Sequence, residues 1–458
     1  MSRYETYLRE HRDRHLAELK DFLRIPSVSA LSAHRPDVER AARWVADAMQ
    51  AAGLEHVEVL PTGGHPVVYA DWLHAPGRPT ALVYGHYDVQ PVDPEHLWVT
   101  PPFEPDVRDG KLYARGASDD KGQVFLHIKA VETLLRVDGA LPLNLRFLVE
   151  GEEEIGSRHL PAFVEAHRDR LRADVAVISD TTFFARGVPA ITTGLRGLAA
   201  LEITVRGARG DLHSGLYGGA VQNPLHALVE LLAGLRGPDG RIRVEGFYDR
   251  VRPVPEEERR QWAALPHDDA RLVAELGVPA LFGEAGYTTL ERLWARPTLE
   301  LNGVWGGFTG EGTKTVLPAE AHAKITCRLV PDQEPEEILD RLEAHLRTHL
   351  PPGVTLEVRR EPGGARAVLT PHDHPAVQAA RQALREAYGV EPVLVRMGGS
   401  IPVAETFATV LGLPVVLLGF GLPEENFHAP NEHFHLENFD GGLRTLCAYW
   451  PLLARGAL

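Results

Sequence analysis

The chain has 458 residues, of which 44% are hydrophobic and 24% charged, as is ordinary for folded proteins. This apolar content is enough for a sizeable core and excludes disorder as the main state, while the length suggests two or three domains. Lys and Arg number 48 against 63 Asp and Glu. The resulting net charge of −15 disfavours a nucleic-acid binder, which usually carries a basic surplus.

The N-terminal stretch MSRYETYLREHRDRH is charged and has no apolar segment, so we expect no signal peptide. No apolar run reaches the ~20 residues that span a bilayer, and we expect a cytoplasmic protein without a membrane partner. Cys327 and Cys447 are the only cysteines, which excludes a disulfide framework or a Cys-x-x-Cys zinc site. We expect both cysteines to be buried, and any metal to be held by His, Asp and Glu.

Continuous apolar runs and helical patterns follow one another along much of the chain. In chain order they predict a helix over Val38–Ala51, a strand over Ala81–Tyr84, a helix over Val124–Leu135, strands over Leu145–Val149 and Val175–Ile178, a helix over Pro375–Tyr388 and a strand over Pro414–Leu418. Strands that are apolar throughout are typical of a mainly parallel sheet covered by helices on both faces. The fold class is therefore predicted to be α/β.

A second pattern, in which apolar and polar residues alternate, occupies the middle of the chain. It predicts half-exposed antiparallel strands over Leu201–Val205 and Ala323–Leu329, each followed by a helix, and a last strand over Val354–Val358. We expect a small α+β domain at 195–366, inserted into a discontinuous domain made of 1–194 and 367–458. The stretch 240–315 is rich in Pro and Gly and predicts no clear element.

Histidines and carboxylates follow the predicted buried strands, at the sheet edge where ligands bind in α/β folds. Clustered carboxylates repel one another unless a cation neutralises them, and imidazole with carboxylate suits Zn²⁺ or Mn²⁺, with Co²⁺ as a further candidate. Two metal ions with one bridging carboxylate match the ligands available, and a neighbouring glutamate could serve as general base. The predicted ligands are His86, Asp119, Glu154, Asp180 and His428.

Five separated blocks carry a resemblance to a known family. GHYDVQP at 85–91, ASDDKG at 117–122 and EEIGS at 153–157 resemble the co-catalytic zinc peptidases, which include carnosine dipeptidases, acetylornithine deacetylase, succinyl-diaminopimelate desuccinylase and glutamate carboxypeptidases. DLHSGLYGG at 211–219 and RMGGSIPV at 396–403 resemble the carnosine and cytosolic nonspecific dipeptidase branch. The resemblance implies a zinc-exopeptidase-like catalytic domain and a ferredoxin-like inserted domain that serves as lid and dimerisation surface.

The resemblance also implies roles at the metal centre. His86 and Asp180 would bind one metal, Glu154 and His428 the other, and Asp119 would bridge them. Asp88 would orient His86. Glu153 would be the general base, although Glu152 as base and Asp120 as bridge are alternatives.

In the inserted domain, the resemblance implies that His213 reaches the partner subunit's active site and stabilises the oxyanion. Thr315, Arg328 and Ser400 match substrate-binding positions, with Arg328 a candidate for the terminal carboxylate. Each role has an alternative. His213 could be a loop histidine bonded to its own backbone, and Arg328 an exposed charge on its strand. Thr315 and Ser400 could be ordinary turn residues. His433 and His435 match no ligand and are interpreted as surface residues or as supports for the ligands.

The sequence therefore predicts an enzyme that hydrolyses short peptides, most simply dipeptides, through a hydroxide bridging two divalent metal ions per subunit, with Glu153 as base. We expect a homodimer formed through the inserted domain. One alternative is an N-acyl-amino-acid deacylase on the same scaffold, and another is a non-catalytic, metal-loaded peptide-binding protein. The motifs HExxH, GxSxG and GxxxxGK[ST] are absent from the sequence, which disfavours a zincin, a serine hydrolase and a P-loop nucleotide site.

Overall fold

The computed structural model describes residues 3–456. Its helices are α1 (Arg3–Leu23), α2 (Arg35–Ala52), α3 (Lys121–Asp138), α4 (Leu160–Ala166), α5 (Ser214–Tyr217), α6 (Pro224–Gly234), α7 (Glu256–Ala263), α8 (Asp269–Leu276), α9 (Thr289–Trp294), α10 (Pro335–Thr348), α11 (Pro375–Tyr388), α12 (Pro402–Val410) and α13 (Leu436–Leu453). Its strands are β1 (Glu55–Leu60), β2 (Val67–Trp72), β3 (Thr80–His86), β4 (Asp106–Arg108), β5 (Lys111–Tyr113), β6 (Asn144–Glu150), β7 (Val175–Ile178), β8 (Ala190–Leu195), β9 (Gly197–Arg206), β10 (Leu212–His213), β11 (Thr298–Gly306), β12 (Val316–Leu317), β13 (Glu320–Leu329), β14 (Thr355–Arg360), β15 (Val368–Leu369), β16 (Val393–Met397), β17 (Val415–Leu417) and β18 (His433–His435).

The chain forms two compact units. The first contains the residues up to Thr193, Leu369–Val395 and the chain from Pro402 onward, and the second contains Gly194–Val368 and Arg396–Ile401. The predicted boundaries, 195 and 366, lie within two residues of the main segment of the second unit. The short segment Arg396–Ile401 was assigned by the sequence to the discontinuous domain, but it groups with the second unit.

The large sheet has the strand order β1-β2-β6-β3-β7-β17-β8-β15, and β16 also pairs with β8. Its centre is parallel, because β3 pairs in parallel with both β6 and β7, and β7 pairs in parallel with β17. Antiparallel pairs flank this centre, at β1–β2, β2–β6 and β17–β8. Strand β7 is buried along its whole length, as its uninterrupted apolar sequence predicts. The predicted α/β class with a mainly parallel sheet is confirmed.

Helix α3 packs against strand β3 and brings the start of the helix to the carboxyl end of the sheet. Its first residue, Lys121, is fully buried, and its Nζ donates hydrogen bonds to the carbonyls of Phe22, in the last turn of α1, and Ile25, just after it. Gly85 allows a close approach here, because a Cβ at this position would lie 2.7 Å from Oδ2 of Asp120. The two residues before Lys121 are thereby held beside the end of β3.

The second unit follows the order β9-α6-β11-β13-α10-β14 and forms a four-stranded antiparallel sheet, β11-β13-β9-β14. This β-α-β-β-α-β arrangement is the ferredoxin-like motif. The sequence missed strand β11, which lies in the stretch without clear elements. Its register shifts between Leu301 and Gly303, and it exposes Val304 and Trp305, so its apolar residues do not alternate.

Each unit has its own apolar core, and one cysteine lies in each. Cys327 packs with the core of the second unit and Cys447 with that of the first. Both are free thiols and buried, as the sequence predicts. Over residues 3–456, none of the helices has the length and hydropathy that a membrane-spanning segment needs.

Candidate active site

The carboxyl end of β3, the turn after β6, the end of β7, the start of α3 and the loop before β18 bring two histidines and three carboxylates together. His86 Nε2 lies 3.2 Å from Oδ1 of Asp119 and 3.8 Å from Oδ2 of Asp180. His428 Nε2 lies 2.9 Å from Oδ2 of Asp119 and 3.1 Å from Oε2 of Glu154. These residues form two groups with the spacing of metal ligands, and Asp119 belongs to both.

The spacing of these atoms fits divalent cations. Ligand atoms ~2.1 Å from a tetrahedral metal ion lie roughly 3.4 Å from one another, and the four distances above bracket that value. Each group offers three protein ligands of the imidazole and carboxylate types. Three protein ligands with a remaining position are typical of catalytic rather than structural sites.

Asp88 contacts both His86 and the turn that carries Glu153 and Glu154. Nδ1 of His86 lies 3.1 Å from the Asp88 carbonyl oxygen and 3.4 Å from its carboxylate. The same carboxylate accepts hydrogen bonds from the backbone N–H groups of Glu153 and Glu154, at 3.3 and 3.2 Å. One buried carboxylate therefore links two of the predicted ligands, and orientation of His86 remains its proposed role.

The two positions that the sequence left open have different surroundings in the structure. Glu152 accepts a hydrogen bond from the backbone of His65 and lies 2.8 Å from Nδ1 of His159, so its carboxylate is already partnered. Burial, together with the nearby carboxylates of Glu154, Asp119 and Asp88, raises the pKa of Glu153 to about 7. This value suits a group that both takes and returns protons near neutral pH.

Asp120 likewise differs from Asp119. Its Oδ2 accepts a hydrogen bond from the backbone N–H of His86 at 3.1 Å, and it belongs to neither group of candidate ligands. Asp119 is the residue that lies within reach of both histidines. The geometry therefore favours Asp119 over Asp120 as the bridge.

The sequence model of peptidase family M20/M25/M40 matches residues 82–451. The chain belongs to this family. It is 33% identical over 454 residues to the Cys-Gly metallodipeptidase dug1 of Schizosaccharomyces pombe, covering 96% of this chain and 95% of that protein. It is 32% identical to the Beta-Ala-His dipeptidase of Homo sapiens, covering 98% and 92%. These relatives agree with the dipeptidase branch that the motifs indicated.

Solved structures extend the similarity to the fold. Human carnosine dipeptidase 1 superposes with a TM-score of 0.78 at 32% identity, covering 99% of this chain and 98% of that one. An M20 family metallo-carboxypeptidase from Sulfolobus solfataricus gives a TM-score of 0.82 at 33% identity, covering 96% and 99%.

In this M20/M25/M40 peptidase, His213 lies on the short ribbon formed by β10 and β12, and Thr315 directly precedes β12. His213 pairs with Val316, and the backbone N–H of Ser214 donates to the carbonyl of Thr315 at 3.0 Å. His213 is exposed, and its Nδ1 accepts a hydrogen bond from the N–H of Gly215 at 3.0 Å. This is the backbone contact that the sequence raised as an alternative. It makes Nδ1 an acceptor and leaves Nε2 with the proton, free to donate.

Arg328 and Ser400 lie together elsewhere in the second unit. Arg328 donates from Nη1 to Oγ of Ser400 at 3.1 Å, and Ser400 Oγ donates to the carbonyl of Arg196. Among residues 3–456, no carboxylate forms an ion pair with Arg328. Arg196 fixes the same loop, since its Nε donates to the carbonyl of Gly398 at 3.0 Å.

Sequence reasoning missed several residues that contact the proposed ligands. Gln90 donates from Nε2 to Oε2 of Glu154 at 2.8 Å, and Glu432 accepts from the backbone N–H of Asp119 at 3.0 Å. Positions 86, 88 and 90 share one face of an extended chain, a signal that could have found Gln90. His433 and His435 are buried, so the surface interpretation is wrong, and His435 Nδ1 lies 2.8 Å from Glu425.

Proposed function

We propose that this chain is a metal-dependent dipeptidase. One observation carries the proposal: two imidazole–carboxylate groups share Asp119, and Glu153 directly precedes their ligand Glu154. Relatives that match nearly the whole chain are named as Cys-Gly and Beta-Ala-His dipeptidases, which supports dipeptides as substrates. The proposed metal set is His86, Asp119 and Asp180 for one ion and Asp119, Glu154 and His428 for the other.

The chemistry that divalent cations supply when bound is polarisation of a carbonyl oxygen and a lowered pKa for water. In the proposed reaction, Glu153 takes a proton from the attacking water and later delivers it to the nitrogen of the departing amino acid. Asp88 fixes the backbone of Glu153 and Glu154 through the hydrogen bonds to both N–H groups. The carboxylate of Glu152 stays out of the proton transfer because His65 and His159 occupy it.

For four residues of the second unit we propose roles in substrate binding. Arg328 pairs with the terminal carboxylate of the dipeptide, and Ser400 orients the guanidinium through its hydroxyl. His213 donates from Nε2 to the developing oxyanion, in the tautomer that its contact with Gly215 requires. Thr315 supports the same ribbon. We propose Zn²⁺ or Mn²⁺ as the metals and a homodimer through the inserted domain, and we keep the cytoplasm as the predicted location.

The decisive experiment is amino-acid release from a panel of substrates by metal-stripped protein, before and after addition of Zn²⁺ or Mn²⁺. The panel contains Cys-Gly, β-alanyl-histidine, simple dipeptides, the matching dipeptide amides and N-acetyl amino acids. We expect no hydrolysis without metal, hydrolysis of free dipeptides with it, and weaker hydrolysis of the amides because they lack the carboxylate for Arg328.

The variant Glu153→Gln tests the proton transfer. We expect kcat to fall by about 10²–10⁴, the range typical of a general acid–base, with metal content unchanged. Glu152→Gln is the matched control, because it makes the same change one residue away and should retain turnover.

In the substrate panel, hydrolysis confined to N-acetyl amino acids would assign the chain to the deacylases. Bound metal without any turnover would favour a peptide-binding protein.

A further inference from the structure

Two buried carboxylates outside the proposed metal set lie on either side of His428 in the sequence. Glu425 precedes it and Glu432 follows it, and the side chains of both are fully buried. Neither belongs to one of the two candidate groups of metal ligands. Burying a carboxylate is costly unless hydrogen bonds compensate for the lost water, so the partners of each show what it stabilises.

The carboxylate of Glu432 accepts four hydrogen bonds from the loop that carries Asp119. Oε2 accepts from Nη1 of Arg115 at 2.8 Å and from the N–H of Gly116 at 2.9 Å. Oε1 accepts from the N–H groups of Ser118 and Asp119, both at 3.0 Å. The backbone carbonyl of Glu432 also accepts from the N–H of Ala114. One residue therefore fixes the backbone of this loop up to the proposed bridging aspartate.

Glu425 provides a second connection between the same two loops. Its Oε2 accepts from Oγ of Ser118 at 2.5 Å and from the N–H of Leu422 at 2.9 Å. Its Oε1 lies 2.8 Å from Nδ1 of His435 and accepts from the N–H of that residue. Both carboxylates thus join the segment that contains His428 to the segment that ends at Asp119.

We infer that Glu425 and Glu432 form a carboxylate clamp that sets the position of Asp119 relative to His428 and so couples the two proposed metal sites. Asp119 is common to both candidate groups, whereas His428 belongs to one. A change that lets the Asp119 loop move therefore weakens both sites together. Glu425 and Glu432 are positioning residues, since they act through Asp119 and His428. The inference rests on the proposed metal set but not on any substrate.

The test is Glu432→Gln, followed by metal binding without substrate. The amide nitrogen replaces one carboxylate oxygen and cannot accept, so two of the four N–H donors lose their partner. Metal-stripped protein is titrated with Zn²⁺ or Mn²⁺ against a chromophoric chelator to give the number of ions bound and both dissociation constants. We expect both constants to rise by about 10–100-fold, as is usual when a group supporting metal ligands is lost.

Glu284→Gln is the matched control, because Glu284 is a buried carboxylate of the second unit paired with Arg296. It should lower the melting temperature of metal-free protein but leave both dissociation constants unchanged. A change in Glu432→Gln confined to the melting temperature, or to one metal site, would overturn the clamp. If Glu432→Gln does not fold, Ser118→Ala decides, since it removes only the link to Glu425. It should raise both constants by a smaller factor, and unchanged constants would reject the inference.

The readout also separates this inference from the proposed function. Two ions bound with altered constants, but no dipeptide hydrolysis by the wild-type protein, would support the clamp and reject the dipeptidase. Dipeptide hydrolysis by the wild-type protein, with unaltered dissociation constants in both variants, would support the dipeptidase and reject the clamp.

Discussion

Gln90 supports only one of the two proposed metal sites. Its Nε2 donates to Oε2 of Glu154 at 2.8 Å, and it makes a longer contact with the backbone carbonyl of the same residue. Glu154 belongs to the group with His428 and Asp119, but not to the group with His86 and Asp180. The amide fixes which oxygen of Glu154 faces His428, because that oxygen receives both contacts.

Replacing Gln90 by Ala should therefore weaken one metal site selectively. We expect one dissociation constant to rise by about 10-fold and the other to stay within experimental error, because the orientation of Glu154 is lost while His86 and Asp180 are unchanged. Chelator competition on metal-stripped protein measures both. Gln382→Ala, on the exposed face of α11, is the control and should change neither. An equal loss at both sites would contradict the selective role.

The sequence predicts those site residues that can be recognised from the residues next to them in the chain. His86 and Asp119 follow from their place at a strand end or helix start and from the short motifs around them. The contact of Glu432 with Asp119 crosses 313 positions, and that of Gln90 with Glu154 crosses 64. The spacing of positions 86, 88 and 90 can place Gln90 on the face of His86, but which residues Gln90 and Glu432 contact depends on how distant loops meet.

Helices α1 and α3 share a buried ionic cluster around Glu132. Its carboxylate accepts from Oη of Tyr7 at 2.9 Å and from Nζ of Lys129 at 2.7 Å, and it contacts the guanidinium of Arg14. His15, also buried, lies 3.6 Å from it. Burial alone would raise the pKa of Glu132, but the hydrogen bonds from His15, Arg14 and Lys129 outweigh it and hold this pKa well below its ordinary value.

Glu132→Gln should lower the free energy of unfolding by about 2 kcal/mol at pH 7, because the buried Lys129 and the exposed Arg14 then keep only Glu18 as a carboxylate partner. The lowered pKa of Glu132 means that the unfolded state binds its proton first as pH falls. This contribution is therefore present above pH ~4.5 and is lost on acidification below it. The stability gap between wild type and variant should narrow below that pH.

Denaturant unfolding from pH 7 to pH 3 measures this gap. Burial also lowers the pKa of His15, so the unfolded chain takes up this proton at a higher pH than the folded protein, and both proteins lose stability from this source on acidification. Glu10→Gln, at an exposed position of α1, is the control and should follow wild type throughout. A stability gap that stays constant down to pH 3 would contradict the assigned role of Glu132.

At the scale of elements, the match between pattern and fold depends on burial. Strand β7 coincides with its predicted bounds and α11 agrees at both ends, since the first is apolar throughout and the second begins with Pro and ends before Gly. Strand β11 escaped prediction because it is an edge strand with one partner, an irregular register and exposed apolar side chains. The exposed apolar side chains of Leu301, Val304 and Trp305 interrupt the period of two by which a half-buried strand is recognised in a sequence.

Within the second unit, two proposed substrate residues lie near opposite ends of strand β13, Arg328 on the strand itself and His213 on the ribbon that precedes it. His213 pairs with Val316, and Asp211 accepts from the N–H of Ala319, just before β13 begins. Arg328 is eight residues beyond Glu320, which on a strand corresponds to about 26 Å. An extended dipeptide spans only about 7 Å. This separation along β13 supports the proposal that His213 acts on the site of the partner subunit.

Mixing two inactive variants tests this arrangement. If His213 acts on the partner subunit's site, a dimer of one Glu153→Ala and one His213→Ala subunit contains one complete site and one that lacks both groups. Random assortment makes half of the dimers mixed, so the mixture should regain about a quarter of wild-type activity. If His213 acts within its own chain, each site of the mixed dimer lacks one group and no activity returns. Subunit exchange is verified by co-purification of differently tagged chains, and an inactive mixture after verified exchange would reject the assignment of His213 to the partner's site.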